Sequence, residues 1–187
     1  MRNPSLPSNK GRIFEPFELI EALKELNQLK EKGVIQDYAI GGGHALLFHG
    51  VSKSTYDLDI FAIVVGEDSL HILQPVYEYF RDRGHKVRGE HIIIGDMPVQ
   101  ILPNISPLSN NAVEEAHQVE IEGIPTRFIG VEHLIALALE AFRPSDKERI
   151  RGLLEKADRE SLDRILNRFG NEENQLRPRF QEVLGIS

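Results

Sequence analysis

Residues Tyr38 to Val65 read YAIGGGHALLFHGVSKSTYDLDIFAIVV, and the fold turns on how this stretch is read. Tyr38-Ala39-Ile40 is an apolar strand end, Gly41-Gly42-Gly43 a turn, and Ala45-Leu46-Leu47-Phe48 the body of a short helix. A polar loop then leads to a second apolar strand, expected over Leu58 to Val65, with Asp57-Leu58-Asp59 at its start. Side chains two apart on a strand share a face. Asp57 and Asp59 therefore project together, away from Leu58 and Ile60. Two neighbouring carboxylates on an otherwise apolar strand repel each other and are costly to bury unpaired. A divalent cation relieves both costs, and magnesium favours one or two carboxylates plus phosphate oxygens. Glycines at a helix start leave backbone amides open to such oxygens.

Other glycine motifs fit poorly. Leu46 occupies the place of the third glycine or alanine of a dinucleotide-binding G-x-G-x-x-G. Lys53 follows Gly50 too closely for a phosphate-binding P-loop. The pattern instead resembles the core of the DNA polymerase β-like nucleotidyltransferase superfamily: Gly42-Gly43, a spacer over residues 44–56, then Asp57-Leu58-Asp59. It is most similar to the subset related to abortive-infection toxins, through Gly42-Gly43-His44-Ala45-Leu46, His49-Gly50, Thr55 and the acid pair. Lys53 takes the position of that subset's usual arginine, keeping the charge without the planar fork.

The resemblance implies a nucleoside triphosphate as substrate, with Mg²⁺ or Mn²⁺ held by Asp57 and Asp59. It implies that Gly42 and Gly43 seat phosphates, while Ser52, Lys53 and Thr55 of the preceding loop hold the triphosphate. Members carry a third catalytic carboxylate on a later strand, expected here over Pro98-Val99-Gln100-Ile101-Leu102. Gln100 occupies its place and cannot act as a base. Asp96 and Glu90 are the nearby acids that could replace it. In the helical part, Arg143 and Asp146 match the toxin-like R-x-x-D-x-x-D, Arg149 falls where the second acid belongs, and a helix lysine is missing. Arg143 is expected to approach the phosphates. The acceptor is a hydroxyl of RNA, protein or a small molecule. Alternatively, because of Gln100, the chain is an inactive nucleotide-binding or toxin–antitoxin regulatory module with an antitoxin-like partner.

Composition bounds the rest. The chain has 187 residues and 41% hydrophobic content, enough for a substantial core. A net charge of -7 argues against broad nonspecific nucleic-acid binding. The absence of cysteine excludes disulfides, thiolate metal sites and thiol catalysis. No apolar run has the length of a membrane span and no signal core is visible, so a cytoplasmic protein is expected.

Residues 1–13 read as a flexible arm, and Glu15 to Lys32 as an amphipathic helix. Ser69 to Gly84 reads as a helix whose true first turn lies at Pro75. A hairpin is expected around Gly95-Asp96, a second hairpin or a bent strand over Val119 to Ile129 with its turn near Gly123, and a short helix or loop over Asn110 to Ala116. From Val131 the pattern is helical, with Ser145 and Glu148 fitting a capping box. The expected architecture is α/β (α+β): a mixed β-sheet with flanking helices over residues 14–130, then a helical bundle over 131–187.

Overall fold

The computed structural model describes residues 16–52, 54–64 and 71–186, with side chains from Glu18 onward. The expected N-terminal arm, Lys53 and the first residues of the expected Ser69–Gly84 helix lie outside these.

The chain begins with helix α1 (Pro16–Glu31), followed by β1 (Ile35–Ile40), α2 (Gly42–Phe48) and β2 (Leu58–Val64). Next come α3 (Gln74–Asp82), β3 (Lys86–Arg88), β4 (His91–Ile94) and β5 (Met97–Pro103). Helix α4 (Pro107–Glu114), the hairpin β6 (His117–Ile121) and β7 (Ile124–Phe128), and four helices complete it: α5 (Val131–Ala141), α6 (Asp146–Leu154), α7 (Arg159–Phe169) and α8 (Leu176–Leu184). Among the described residues the strands form one seven-stranded mixed sheet, ordered β3-β4-β5-β2-β1-β7-β6. β2 lies near the middle, antiparallel to β1 and parallel to β5.

The alternation of β2 sorts its side chains onto two faces. Leu58, Ile60 and Ala62 are buried, whereas Asp59, Phe61 and Ile63 are half-buried. Tyr38 and Ile40 pair with Ala62 and Ile60 and so share the buried face. The Tyr38 hydroxyl donates to Asn27 of α1 at 2.8 Å, which identifies the helix covering that face. Leu23, Leu26 and Leu29 of α1 are fully buried there. Asp59 therefore opens onto the opposite, less covered face.

Several boundaries differ from the sequence expectation. Pro75 does sit in the first turn of α3. β3 was not expected, because three residues with one half-buried valine carry no periodic signal. Helix α4 starts earlier than expected, at a capping box between Ser106 and Ser109, with Pro107 in its first turn. Ser145 does not form the expected capping box: its backbone is already helical and its side chain caps nothing. The Asp146 carboxylate instead accepts from the Arg143 amide, upstream of the helix, at 2.9 Å.

The helices from Val131 onward share one apolar core with the sheet, since Leu134, Ile135, Ile150 and Leu166 belong to the same buried cluster as Ile40 and Leu58. Helix α5 ends at Phe142 in a left-handed conformation (φ 47°, ψ 42°) that no glycine provides. Arg179 of α8 reaches this end, donating to the carbonyls of Leu139 at 2.8 Å and Glu140 at 2.7 Å. Its guanidinium also lies 5.0 Å from the Phe142 ring centroid. Arg179→Met should lower the unfolding free energy by about 2 kcal/mol, because it strands two carbonyls that a charged donor satisfies. Urea unfolding measures this, and an unchanged midpoint would mean that water replaces the guanidinium.

Candidate active site

The three glycines are each required by a different neighbour. The Gly41 amide donates to the Asp59 carbonyl at 2.9 Å, extending the β1–β2 ladder, and a Cβ there would lie 2.5 Å from the Phe61 ring. Gly42 has φ +51°, and a Cβ on it would fall 1.6 Å from Asp59 Oδ2. A Cβ on Gly43 would meet the Thr55 side chain at 2.4 Å. The bare backbone of the turn thus first admits Asp59 and Thr55. The Gly43 amide favours the charged form of the Asp59 carboxyl, though less than burial opposes it.

Asp57 lies immediately before β2. Its carbonyl accepts hydrogen bonds from His44 Nδ1 and Thr55 Oγ1, each at 3.1 Å. Because a carbonyl only accepts, the His44 proton sits on Nδ1. This clamp fixes the peptide from which the Asp57 carboxylate projects. Burial pushes the His44 pKa down, in keeping with a neutral ring. Burial first, and the charge of Asp57 second, push the Asp59 pKa up from 3.8 to about 6. Asp59 is thus the member of the pair whose charged form burial and the neighbouring carboxylate disfavour.

Two further side chains reach the pair, and neither was singled out for it from the sequence. His91 Nε2 lies 3.4 Å from Asp57 Oδ2. Its position follows from strand register: His91 of β4 pairs with Gln100 of β5, which pairs with Asp59 of β2. Paired residues share a face, so His91, Gln100 and Asp59 form a row across three strands. The signal was available, since counting outward from the Gly95-Asp96 turn pairs His91 with Gln100. The second is Arg149 of α6, the largest of the charges that favour ionised Asp59.

Of the other residues considered, Gln100 is half-buried on the site face, whereas Asp96 and Glu90 are exposed in turns on either side of β4. Thr55 gives its hydroxyl to the Asp57 carbonyl, and Ser52 is exposed. Arg143 is exposed between α5 and α6, while Asp146 is 2% exposed and pairs with Arg149 at 3.3 Å. Lys53 lies outside the described residues. A separate cavity of about 380 Å³ opens beside α1 and β7, but it holds neither Asp57 nor Asp59, and its Lys30 and Arg127 both pair with Asp37.

Among the described residues no group of three acids or histidines is gathered as a metal cage. Two neighbouring carboxylates remain, and burial first and the charge of Asp57 second raise the Asp59 pKa to about 6. That donor set suits a magnesium ion whose other ligands are water and phosphate oxygens.

With this geometry in view, the sequence belongs to the family described as nucleotidyl transferase of unknown function (DUF2204), matched over residues 18–177. Nucleotidyl transfer is thus the class of chemistry that the chain's family defines. No curated protein matches it. Among solved structures it is similar to the solution structure of the antibiotic-resistance factor ANT(2'')-Ia, at 17% identity and a TM-score of 0.53, covering 92% of this chain and 97% of that one. The crystal structure of ANT(2'')-Ia in complex with adenylyl-2''-tobramycin is similar at 21% identity and a TM-score of 0.51, covering 81% and 94%. An antigenic nucleotidyltransferase-like protein from Paracoccidioides brasiliensis is similar at 16% identity and a TM-score of 0.50, covering 91% and 94%. The shared fold is nucleotidyltransferase-like. No helix among the described residues is long and apolar enough to cross a membrane.

Two predictions come from the acid pair. Gly42→Ala should abolish divalent-metal binding, because its methyl would occupy the Asp59 carboxylate position; calorimetry with Mn²⁺ reads this, and parent-like affinity would contradict it. Asp59→Asn should stabilise the metal-free protein at pH 8. Between pH 3.8 and about 6 the folded protein keeps a proton that the unfolded chain has lost, so stability falls as pH rises through that window. Removing the charge recovers at most about 3 kcal/mol. Thermal unfolding in a chelator should show the variant melting higher at pH 8 and the gap closing near pH 4.

Proposed function

We propose that the protein transfers a nucleoside monophosphate from a Mg²⁺- or Mn²⁺-bound nucleoside triphosphate to a hydroxyl of RNA, protein or a small molecule. The observation that carries this is the pairing of Asp57 with an Asp59 whose carboxylate fills the space beside bare Gly42, in a chain of a nucleotidyl transferase family. Asp57 and Asp59 would hold the cation, which would supply positive charge to the phosphates. Gly42 and Gly43 would seat the phosphates, and Ser52, Lys53, Thr55 and Arg143 would hold the triphosphate. In the reaction the acceptor O–H loses its proton, its oxygen bonds to the α-phosphorus, and the bond to the bridging oxygen breaks to release pyrophosphate. A cytoplasmic setting, where nucleoside triphosphates and magnesium are supplied, accords with this substrate.

Gln100 cannot take that proton. His91, aligned with Gln100 and 3.4 Å from Asp57, is a side chain that can. A second reading rests on Gln100 itself: an inactive nucleotide-binding module that regulates a partner, such as an antitoxin-like protein.

Calorimetry should show nucleoside triphosphate binding that needs Mg²⁺ or Mn²⁺ and loses that need in Asp57→Asn and Asp59→Asn. Equal affinity with and without metal in the parent would sink the proposal. Labelled nucleotide offered with RNA, protein and aminoglycoside acceptors then separates the two readings. Transfer that falls about 10²–10⁴-fold in His91→Gln supports the enzyme, and metal-dependent binding with no transfer to any acceptor supports the module.

A further inference from the structure

Arg149 is held with unusual care for a surface arginine. Its side chain is 27% exposed, and its Nη1 lies 3.3 Å from an Asp146 carboxylate that is 2% exposed. Asp146 is fixed in turn by the Arg143 amide at 2.9 Å. The Arg149 Nε is buried and has no hydrogen-bond partner. Helix α6 is laid along the loop that leads to Asp57. A Cβ on Gly152, one turn beyond Arg149, would lie 3.5 Å from Val51 Cγ1, and a Cβ on Gly50 would lie 3.4 Å from Lys156 Nζ. Residues 149 and 152 lie one turn apart on α6 and share a face, so the face touching the loop at Val51 is the one that carries Arg149.

The position in register with Asp59 on the neighbouring strand is the neutral Gln100. Two divalent ions side by side repel through a charge product of four, and a third carboxylate would be needed to hold both. A guanidinium beside one divalent ion repels it through a charge product of only two, and being covalently attached it needs no ligands. It can also meet phosphate oxygens with two parallel hydrogen bonds.

We propose that this protein works with a single divalent cation, and that the guanidinium of Arg149 binds the nucleotide phosphates in place of a second metal ion. This rests on the nucleotide site proposed above. Arg149 is braced by Asp146 and presented across the loop over residues 50–52, and the missing acid at Gln100 and the added cation at Arg149 are two halves of one exchange.

The test counts ions. The parent protein is titrated with Mn²⁺ in the presence of α,β-methylene-ATP, with free Mn²⁺ read by electron paramagnetic resonance. One Mn²⁺ per bound nucleotide is expected. Gln100→Asp should raise the count to two. Arg149→Met should leave the count at one while weakening the analogue about 10- to 100-fold, the loss of a charge-assisted bond to phosphate, and Arg149→Lys should restore part of it. Two Mn²⁺ in the parent would overturn the inference without touching the function proposed, as would unchanged analogue affinity in a folded Arg149→Met protein. Absence of both Mn²⁺ and analogue binding in the parent would overturn the nucleotide site itself and this inference with it. The parent count needs no variant, so a poorly folding Arg149→Met protein does not decide the matter.

Discussion

The carboxylate of Asp59 occupies the space where a side chain on residue 42 would be. Most of the site depends on that contact. It requires a glycine in a left-handed conformation directly after β1, and it makes the turn into α2 inseparable from the acidic strand. It also dries the carboxylate, which is why burial outranks the neighbouring charge in raising its pKa. A group in that state is poised for a cation. The folded chain stores unfavourable electrostatics there, which a bound metal would release as affinity.

The sheet supplies the rest by alternation. One face of β1, β2 and β5 is packed against α1 and is apolar throughout. The opposite face carries Asp59, Gln100 and His91 in a lateral row. The helices after Val131 bring a cation to the same region from outside the sheet, on a helix whose first residue, Asp146, is itself buried to orient it.

How much of this could be read from the sequence depended on distance along the chain. The acid pair, the glycine turn and the strand holding Gln100 were legible because their spacing is local and periodic. The helices were legible as apolar periods, although Ser145 and Glu148 imitate a capping box that does not form. The β3 strand was too short to carry a pattern. The steric need for the glycines was not legible, because a Cβ clash with a carboxylate many residues later is a tertiary fact. Arg149 looked like a missing acid when compared position by position. Only the packing of α6 on the 50–52 loop turns it into a cation with a direction.

The two-residue turn between Ile94 and Met97 lies at the far end of the hairpin from the acids, exposed and easily taken for a neutral loop. Its length nevertheless sets which residues face each other four positions away. A strand has a period of two, so one inserted residue that slipped the register would send either His91 or Gln100 to the face against α1. The hairpin tip is thus a ruler for the face that carries Asp59. Length variation there would rewrite the chemistry offered to the acid pair without altering a single side chain in it.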